Sequence, residues 1–344
     1  MATTEAEHPQ SVSVVICAHT VERWDSTMAA VRSCLDQSRR PDEVVLVIDH
    51  NKELFERATA TLGDATVVEN RGPKGLSGSR NTGIVTTSGS IVAFLDDDAV
   101  AAPDWIAQIL LPFEDGSVAG VGGWVLPAWE DRCPEWFPET YYWVFGCSYA
   151  GLPDTNDSIR NPIGTNMALR RTVFALVGGF NSALGRIGKV PLGCEETELC
   201  VRYARRFPQE RFVLRREAVV HHFVPASRLR WRYFWRRCWS EGLSKAAVAS
   251  LHPHGSGFVS ERGYLEHALP REVVTDLRSL PRHPVRVSIR SGLMFAGTVF
   301  ASAGLLKGRR ALRAHPVDHA TENLALFSDP PPGGSGRGEV NRDR

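Results

Sequence analysis

Three consecutive aspartates, Asp96, Asp97 and Asp98, follow an apolar run that has the length of a buried strand. A strand end fixes the side chains that come after it, so at least two of these carboxylates are held at one place. Carboxylate oxygens are the ligands that Mg²⁺ and Mn²⁺ prefer, and a diphosphate can complete the coordination. Because an isolated acidic triplet is more often a solvated turn, the interpretation as a metal site depends on its neighbours.

A glycine-rich segment, residues 75–83, precedes the triplet and reads Gly-Leu-Ser-Gly-Ser-Arg-Asn-Thr-Gly. Such a turn, opening a helix, presents backbone N–H groups to a phosphate, and Arg80 adds a cation. Alone, a glycine-rich turn is weak support for any ligand. Together with the aspartate triplet it predicts a site for a nucleotide diphosphate.

Two adjacent glutamates, Glu195 and Glu196, offer a general base. A single carboxylate held in place can remove a proton from a substrate group. The alternative is that these residues only form the acidic first turn of a helix over 196–207, where the helix dipole favours them. The two interpretations are compatible, since a helix start holds a carboxylate rigidly.

A histidine pair, His221 and His222, follows the strand predicted over residues 216–220. The family resemblance described below implies that a histidine near this point completes a metal site or contacts a diphosphate, and we favour His222 over His221. A purely structural role for both is the alternative.

The elements that position these residues alternate between apolar runs and helical spacing. Strands are predicted over residues 11–18, 44–48, 65–69 and 90–95, and helices over 27–37, 53–61 and 76–87. This alternation predicts a parallel, doubly wound sheet with ligands at the carboxyl ends of its strands. Three polar strand ends, residues 18–20, 49–51 and 96–98, therefore share one crevice. Beyond about residue 120 the alternation stops, and residues 124–149 are predicted to be loops and irregular strands covering an acceptor site.

Four segments, residues 14–20, 47–51, 78–83 and 94–98, resemble in this order the nucleotide-binding half of family 2 glycosyltransferases with the GT-A fold. The resemblance continues through residues 164–171, 178–181 and 193–202 and is weak in the C-terminal third. It implies an α/β, mainly parallel, doubly wound GT-A sheet with a C-terminal helical region able to associate with a membrane. It also implies an inverting, metal-dependent transfer from a nucleotide-sugar to an acceptor hydroxyl.

The resemblance assigns roles to single residues of this chain. Glu196 would be the base, supported by Glu195, and Mn²⁺ or Mg²⁺ would be held by Asp98, Asp96 and His222. The donor would be bound by a larger set: Ala18, His19, Thr20, Glu22, Asp49, Gly75, Arg80, Asp96, Asp97 and Asn166. Many members carry two acidic residues after the second strand, whereas this chain has only Asp49. Uridine is the first choice for the nucleotide base of the donor.

Five segments follow from these patterns: a disordered start at 1–10, a nucleotide-sugar-binding half at 11–120 and an acceptor-binding and catalytic half at 121–227. A helical region at 228–328 and a Pro- and Gly-rich, then charged, disordered tail at 329–344 complete the chain.

The helical region opens with a run rich in Arg and Trp, residues 228–239. As an amphipathic helix it can meet anionic lipid headgroups or a lipid-linked phosphate, or it can pack its aromatics on the catalytic domain. We do not expect nucleic acid as a partner, because no binding motif accompanies the run and the net charge is only +1. Residues 291–306 are uncharged but short for a membrane span, which favours interfacial docking, a dimer interface or a core position, and leaves the oligomeric state open.

Basic residues on both sides of this apolar segment favour an anionic membrane surface and a lipid-linked or cell-envelope glycan as the acceptor. The seven cysteines lack metal-ligand spacing, and residues 1–10 lack the features of a secretory signal. We therefore expect a cytoplasmic protein, peripheral at the inner face of the cytoplasmic membrane. Two rival functions are a nucleotidyltransferase and a non-catalytic protein of the same fold that binds nucleotide-sugar or a partner.

Overall fold

Nine strands form one sheet in the computed structural model, which describes residues 10–184, 193–252 and 263–314. The strands are β1 (Val12–Ala18), β2 (Glu43–Ile48), β3 (Thr66–Glu69), β4 (Ile91–Asp96), β5 (Ala99–Ala101), β6 (Val118–Trp129), β7 (Ser158–Ile159), β8 (Asn166–Arg170) and β9 (Arg211–Val224). Their order is β3-β2-β1-β4-β8-β6-β9-β5, with β7 paired to β9.

The first half of the sheet is parallel, as predicted: β1 pairs with β2 and β4, and β2 pairs with β3. These strands are continuous apolar runs because both of their faces are covered. Beyond β4 the sheet becomes mixed, since β8 runs antiparallel to both β4 and β6 while β6 and β9 are parallel. The carboxyl ends of β1, β2 and β4 meet at one edge.

Helices cover both faces of the sheet. They are α1 (Trp24–Leu35), α2 (Lys52–Thr61), α3 (Leu76–Thr86), α4 (Trp105–Leu110), α5 (Arg171–Val177), α6 (Glu195–Arg206), α7 (Trp231–Leu251), α8 (Leu269–Ser279) and α9 (Pro284–Ala314). Alternate residues of β1 enter different cores: Val14 and Ile16 pack with α1, and Val15 packs with α3 and α5. This alternation makes the sheet doubly wound.

Residues 124–149 agree with the prediction in part. Trp124–Trp129 belongs to β6, a strand with an irregularity between Gly123 and Trp124, and a 3₁₀ helix that was not predicted spans Glu139–Phe145. The aromatic side chains form a third core with α7 and α9 that includes Tyr141, Phe145 and Phe234. Tyr141 donates a hydrogen bond of 2.7 Å to the carbonyl of Met294 in α9. Their aromatic content therefore fastens the C-terminal helices to the sheet.

Helices α7 and α9 touch backbone to backbone. A Cβ atom at Gly242 would collide with the carbonyl of Ala301, and one at Gly304 would collide with the carbonyl of Trp239. Small residues permit this approach, as they do between closely packed helices in membranes.

The run rich in Arg and Trp, residues 228–239, begins in a 3₁₀ turn, Ala226–Leu229, and continues as the first part of α7.

Helix α9 is longer than the predicted apolar segment 291–306, and by length and composition it is able to cross a membrane; the core helix of a soluble protein can pass the same test. Only 28% of its most apolar window is buried. Arg290, one of the flanking basic residues expected to favour an anionic membrane surface, is instead buried and bonded to Asp276 and Glu272. The predicted disordered tail and all of the disordered start except Gln10 lie outside the described residues.

Candidate functional site

The carboxyl ends of β1, β2 and β4 open into a cavity of about 1610 Å³. Most of the predicted site residues line it: Ala18, His19, Asp49, Gly75, Arg80, Asp96, Asp97, Asp98, Glu195, Glu196 and His222. The edge of the sheet therefore brings residues of the three polar strand ends together, as predicted, and the glycine-rich turn and the glutamate pair face the same cavity.

A candidate metal site is formed by Asp96, Asp98 and His222, each of which offers one ligand atom within 4.8 Å of the others. β9 continues to Val224, beyond the predicted strand end, and pairs Ala99 with His222. Because side chains alternate along a strand, His222 points inward, with its Nε2 3.2 Å from an Asp98 oxygen, while His221 is exposed.

Two arginines that the sequence analysis did not assign complete this cluster. Arg23 contacts Asp97 at 2.9 Å and Asp98 at 3.2 Å, and Arg228 contacts Asp98 at 3.4 Å. Burial raises the pKa of Asp98, but the hydrogen bond and charge of His222 and the two arginines outweigh burial and lower it. Burial and the charge of Asp98 raise the pKa of Asp97 to about 7.

The donor set fits a hard divalent cation. It consists of two carboxylates and one imidazole, the mixture of oxygen and nitrogen ligands that Mn²⁺ and Mg²⁺ sites use. The neighbouring Asp97 also has one buried oxygen, Oδ2, without a hydrogen-bond partner among the described residues. Asp96 is the more exposed of the two ligand carboxylates, so a diphosphate can approach from its side.

Arg80, buried in the first turns of α3, connects the triplet with the glutamate pair. Its guanidinium donates to Glu195 at 2.8 Å, to the carbonyl of Gly164 at 3.1 Å and, more weakly, to Asp96 at 3.5 Å. Thr165 donates to the other Asp96 oxygen at 2.7 Å. The predicted donor-facing arginine thus also fixes the two acidic groups relative to each other.

Glu195 and Glu196 are neighbours with different surroundings. Glu195 is ion-paired to Arg80, whereas the Glu196 carboxylate lines the cavity, accepts a hydrogen bond from its own backbone and forms no ion pair with the described parts of the chain. Burial and the charge of Glu195 raise the pKa of Glu196 to about 8, against the opposing charge of Arg80. A carboxylate with a pKa near neutrality is suited to accept a proton.

The glycine-rich turn is fixed by Asp49 at the end of β2. Asp49 is buried and accepts hydrogen bonds from the Gly75 N–H at 2.9 Å and from Asn70 at 2.7 Å. Gly75 has a φ of 118°, a conformation that favours glycine, and it is the N-cap of α3. The backbone N–H groups that begin α3 therefore face the same cavity as the triplet.

Three predicted donor ligands, Thr20, Glu22 and Asn166, do not line the cavity. Thr20 and Glu22 lie at the 3₁₀ turn after β1. Asn166 is fully buried in β8, where its amide bonds the Trp105 indole and two backbone carbonyls, so its place in the fold is structural. The preceding residue, Thr165, lines the cavity instead. It lies just before the start of β8, where strand alternation does not determine the direction of a side chain.

Sequence comparison finds the model of glycosyl transferase family 2 over residues 13–178. A glucosyl-dolichyl phosphate glucuronosyltransferase of Haloferax volcanii is 34% identical over 299 residues, covering 85% of this chain and 93% of the relative. The succinoglycan biosynthesis protein ExoM of Rhizobium meliloti is 26% identical over 182 residues, covering 52% and 55%. The first alignment covers more of the chain than the family model does.

Among solved structures, a mannosyltransferase of Pyrobaculum calidifontis in complex with GDP-Man and Mn²⁺ aligns with a TM-score of 0.52. The alignment covers 93% of this chain and 86% of that chain at 17% identity. At this identity the likeness concerns the fold.

Proposed function

Because the chain belongs to glycosyl transferase family 2 and has the GT-A fold, it is a glycosyltransferase, and we propose its substrates and the roles of its residues. The donor is a nucleotide-sugar, with a UDP-sugar as the first expectation, and the acceptor is a sugar linked to a lipid phosphate. The observation that carries this proposal is the single cavity that joins the Asp96–Asp98–His222 cluster to the unpaired Glu196 carboxylate.

The two ends of this cavity divide the chemistry. A divalent cation, when bound by Asp96, Asp98 and His222, supplies charge to the departing diphosphate. Arg23 and Arg228, now bonded to the aspartates, are placed to add positive charge there. The N–H groups at the start of α3 hold phosphate oxygens, and Asp49 keeps their turn in position.

Glu196 accepts the proton of the acceptor hydroxyl as this oxygen attacks the anomeric carbon. The bond from that carbon to the diphosphate breaks at the opposite face, so a single displacement inverts the configuration. Glu195 cannot readily take this role, because its carboxylate is bonded to Arg80. One base on one side and one leaving-group site on the other are sufficient for this reaction.

The acceptor class is supported by two observations of different kinds. The Haloferax volcanii relative, which matches most of the chain, is named for transfer to glucosyl-dolichyl phosphate. In addition, α9 carries exposed apolar side chains along its outer face, among them Val285, Phe295 and Leu306, exposed by 70%, 75% and 55%. Exposed apolar surface of this extent suits contact with lipid.

We expect α9 to place the enzyme at a membrane surface, with basic residues near both of its ends, including Arg286 and Lys307, close to anionic headgroups. Substitution of Phe295 by Glu should reduce co-sedimentation with anionic liposomes. Val85→Glu is the matched control, since Val85 is 44% exposed on α3 and gains the same charge. Equal co-sedimentation of the two variants would remove α9 from membrane contact.

Transfer itself is tested by incubating the purified protein with UDP-glucuronate, UDP-glucose or GDP-mannose and a short-chain isoprenyl phosphate hexose, with Mn²⁺ or with EDTA. A product heavier by one sugar, formed only with metal, supports the proposal, and the donor that reacts identifies its class. Neither product nor release of nucleotide diphosphate with any of these donors would contradict it.

A further inference from the structure

One face of α7 carries a charged row, Arg237, Glu241 and Lys245, which the reaction described above does not use. Glu241 lies between the two cations, with one carboxylate oxygen 3.3 Å from Arg237 and the other 3.3 Å from Lys245. The side chains are 21%, 20% and 14% exposed, and all three line the cavity that contains Glu196. We call these three residues the α7 charged row.

The α7 charged row adjoins the turn that presents the base. The Cys194 thiol lies 3.9 Å from the Glu241 carboxylate, and the Gly193 N–H donates to Ser244 of α7 at 3.0 Å. Cys194 adopts a left-handed conformation, with a φ of 72°, directly before Glu195. Helix α7 therefore holds the backbone from which Glu196 enters the cavity, and it brings Arg237 within electrostatic reach of that carboxylate.

The charge of the row favours an anion. The row contains two cations and one carboxylate, so its own net charge is positive, and positive charges that are shielded from water are stabilised by an anion beside them. Arg237 and Lys245 both line the cavity, so an anionic group of a ligand there can reach them. The aspartate cluster has its own cations, Arg23 and Arg228, on the other side of the cavity.

The wall of the cavity beside the α7 charged row is uncharged. Here α9 contributes uncharged residues, Gly297, Thr298, Ala301, Ser302 and Leu305. The other side of this helix carries the exposed apolar side chains that suit contact with lipid. A ligand with an anionic group on the α7 charged row can therefore extend an apolar chain along α9.

We infer that Arg237 and Lys245 form a subsite for the phosphate of the acceptor, with its lipid chain directed along α9. This inference rests on the proposed function. In a sugar that is joined to a lipid phosphate, the phosphate and the attacking hydroxyl lie on different parts of one ring. Its binding site must therefore adjoin the base and stay separate from the diphosphate site, and the α7 charged row meets both conditions. Glu241 keeps the cations in position before the phosphate arrives.

The test is calorimetric binding of citronellyl phosphate, citronellol and inorganic phosphate to the full chain with UDP and Mn²⁺ present. The wild-type protein should bind citronellyl phosphate more tightly than either of the other two. Substitution of both cations, Arg237→Gln with Lys245→Gln, should weaken binding of citronellyl phosphate by about 10-fold to 100-fold, the range for lost hydrogen bonds to a charged group. Binding of citronellol should not change.

Two controls separate this subsite from general effects. Arg232→Gln removes the same charge from an exposed position of α7 that does not line the cavity, and it should bind as the wild type does. Arg237→Lys keeps the charge and should restore most of the affinity that Arg237→Gln loses. Wild-type affinity in the double variant would overturn the inference, as would equal binding of inorganic phosphate, which would remove the lipid from it.

Failure of the proposed function would be visible separately in the same samples. Metal-dependent release of nucleotide diphosphate from the donor, measured without acceptor in the wild-type protein and in the Arg232→Gln control, reports the donor site. Its absence from the wild type would count against the proposed function. If the wild type releases nucleotide diphosphate and the double variant still binds citronellyl phosphate with wild-type affinity, the result would count against the subsite alone.

Discussion

The aspartate cluster, Asp96 to Asp98, and the glutamate pair, Glu195 and Glu196, are two acidic regions of one cavity. They differ in the positively charged side chains that contact them. Asp98 is surrounded by Arg23, Arg228 and His222, whereas Glu196 forms no ion pair with the described residues. Burial and the charge of Glu195 raise the pKa of Glu196 more than the charge of Arg80 and a hydrogen bond from its own backbone lower it. A carboxylate that stays ionised is a metal ligand, and one whose pKa lies near neutrality can exchange a proton. Local charge, more than residue type, separates the two roles.

The largest effect should come from disturbing the aspartate cluster. Asp98→Asn removes a metal ligand and leaves two arginines without their shared partner, so metal-dependent donor binding should weaken by about 100-fold or more. Calorimetry with UDP and Mn²⁺ measures the loss. Asp104→Asn, the same change at an exposed aspartate nearby, should bind normally, and normal binding by Asp98→Asn would separate the cluster from the metal.

The pH dependence should report Glu196. Its pKa is raised to about 8, so below that pH the carboxyl is protonated and cannot accept the acceptor's proton. The kcat/KM should therefore rise about tenfold per pH unit up to about pH 8 and then level off. A profile that is flat from pH 6 to 9 would contradict this assignment.

A smaller change should follow from Glu195→Gln, which removes one of the charges that raise the pKa of Glu196. The pH profile should shift toward lower pH, because Arg80 then acts on Glu196 without the competing carboxylate. We expect activity at the optimum to fall by about tenfold, since Arg80 loses a charge-assisted bond. Glu53→Gln, at an exposed position, should leave the profile unchanged; an unshifted profile in Glu195→Gln would show that the two glutamates are not coupled.

The smallest effect concerns the packing of α7 on α9. Gly304→Ala places a Cβ against the backbone of α7 and should lower the free energy of unfolding by about 1–3 kcal/mol. Gly292→Ala lies on the same helix with open space around it and should be neutral or stabilising by up to about 1 kcal/mol. Thermal unfolding distinguishes the two, and equal midpoints would contradict the close packing of α7 on α9.

The parts that could be predicted from sequence are those determined by local pattern. The strands ending at Ala18, Ile48 and Asp96 are continuous apolar runs followed by polar residues, and this pattern directly indicates a shared edge. The choice between His221 and His222 needed the full length of β9, because only a continuous pleat determines which one faces Asp98.

Contacts between distant segments could not be predicted in this way. Arg23 and Arg228 approach Asp98 from opposite parts of the chain, and no motif marks either residue. The sequence indicates only that each arginine lies a few residues after a strand that ends at the site. Asn166 was assigned to the donor from its neighbours in sequence, but the indole of Trp105 and two carbonyls take up its amide in the folded chain.

The division of roles between the two acidic regions is tested most directly by Glu196→Gln, measured for both donor binding and transfer. The account predicts metal-dependent binding of the donor as in the wild type and turnover lower by about 10²-fold to 10⁴-fold, the range for loss of a general base. Near-wild-type turnover with intact binding would contradict it and move the base to another residue.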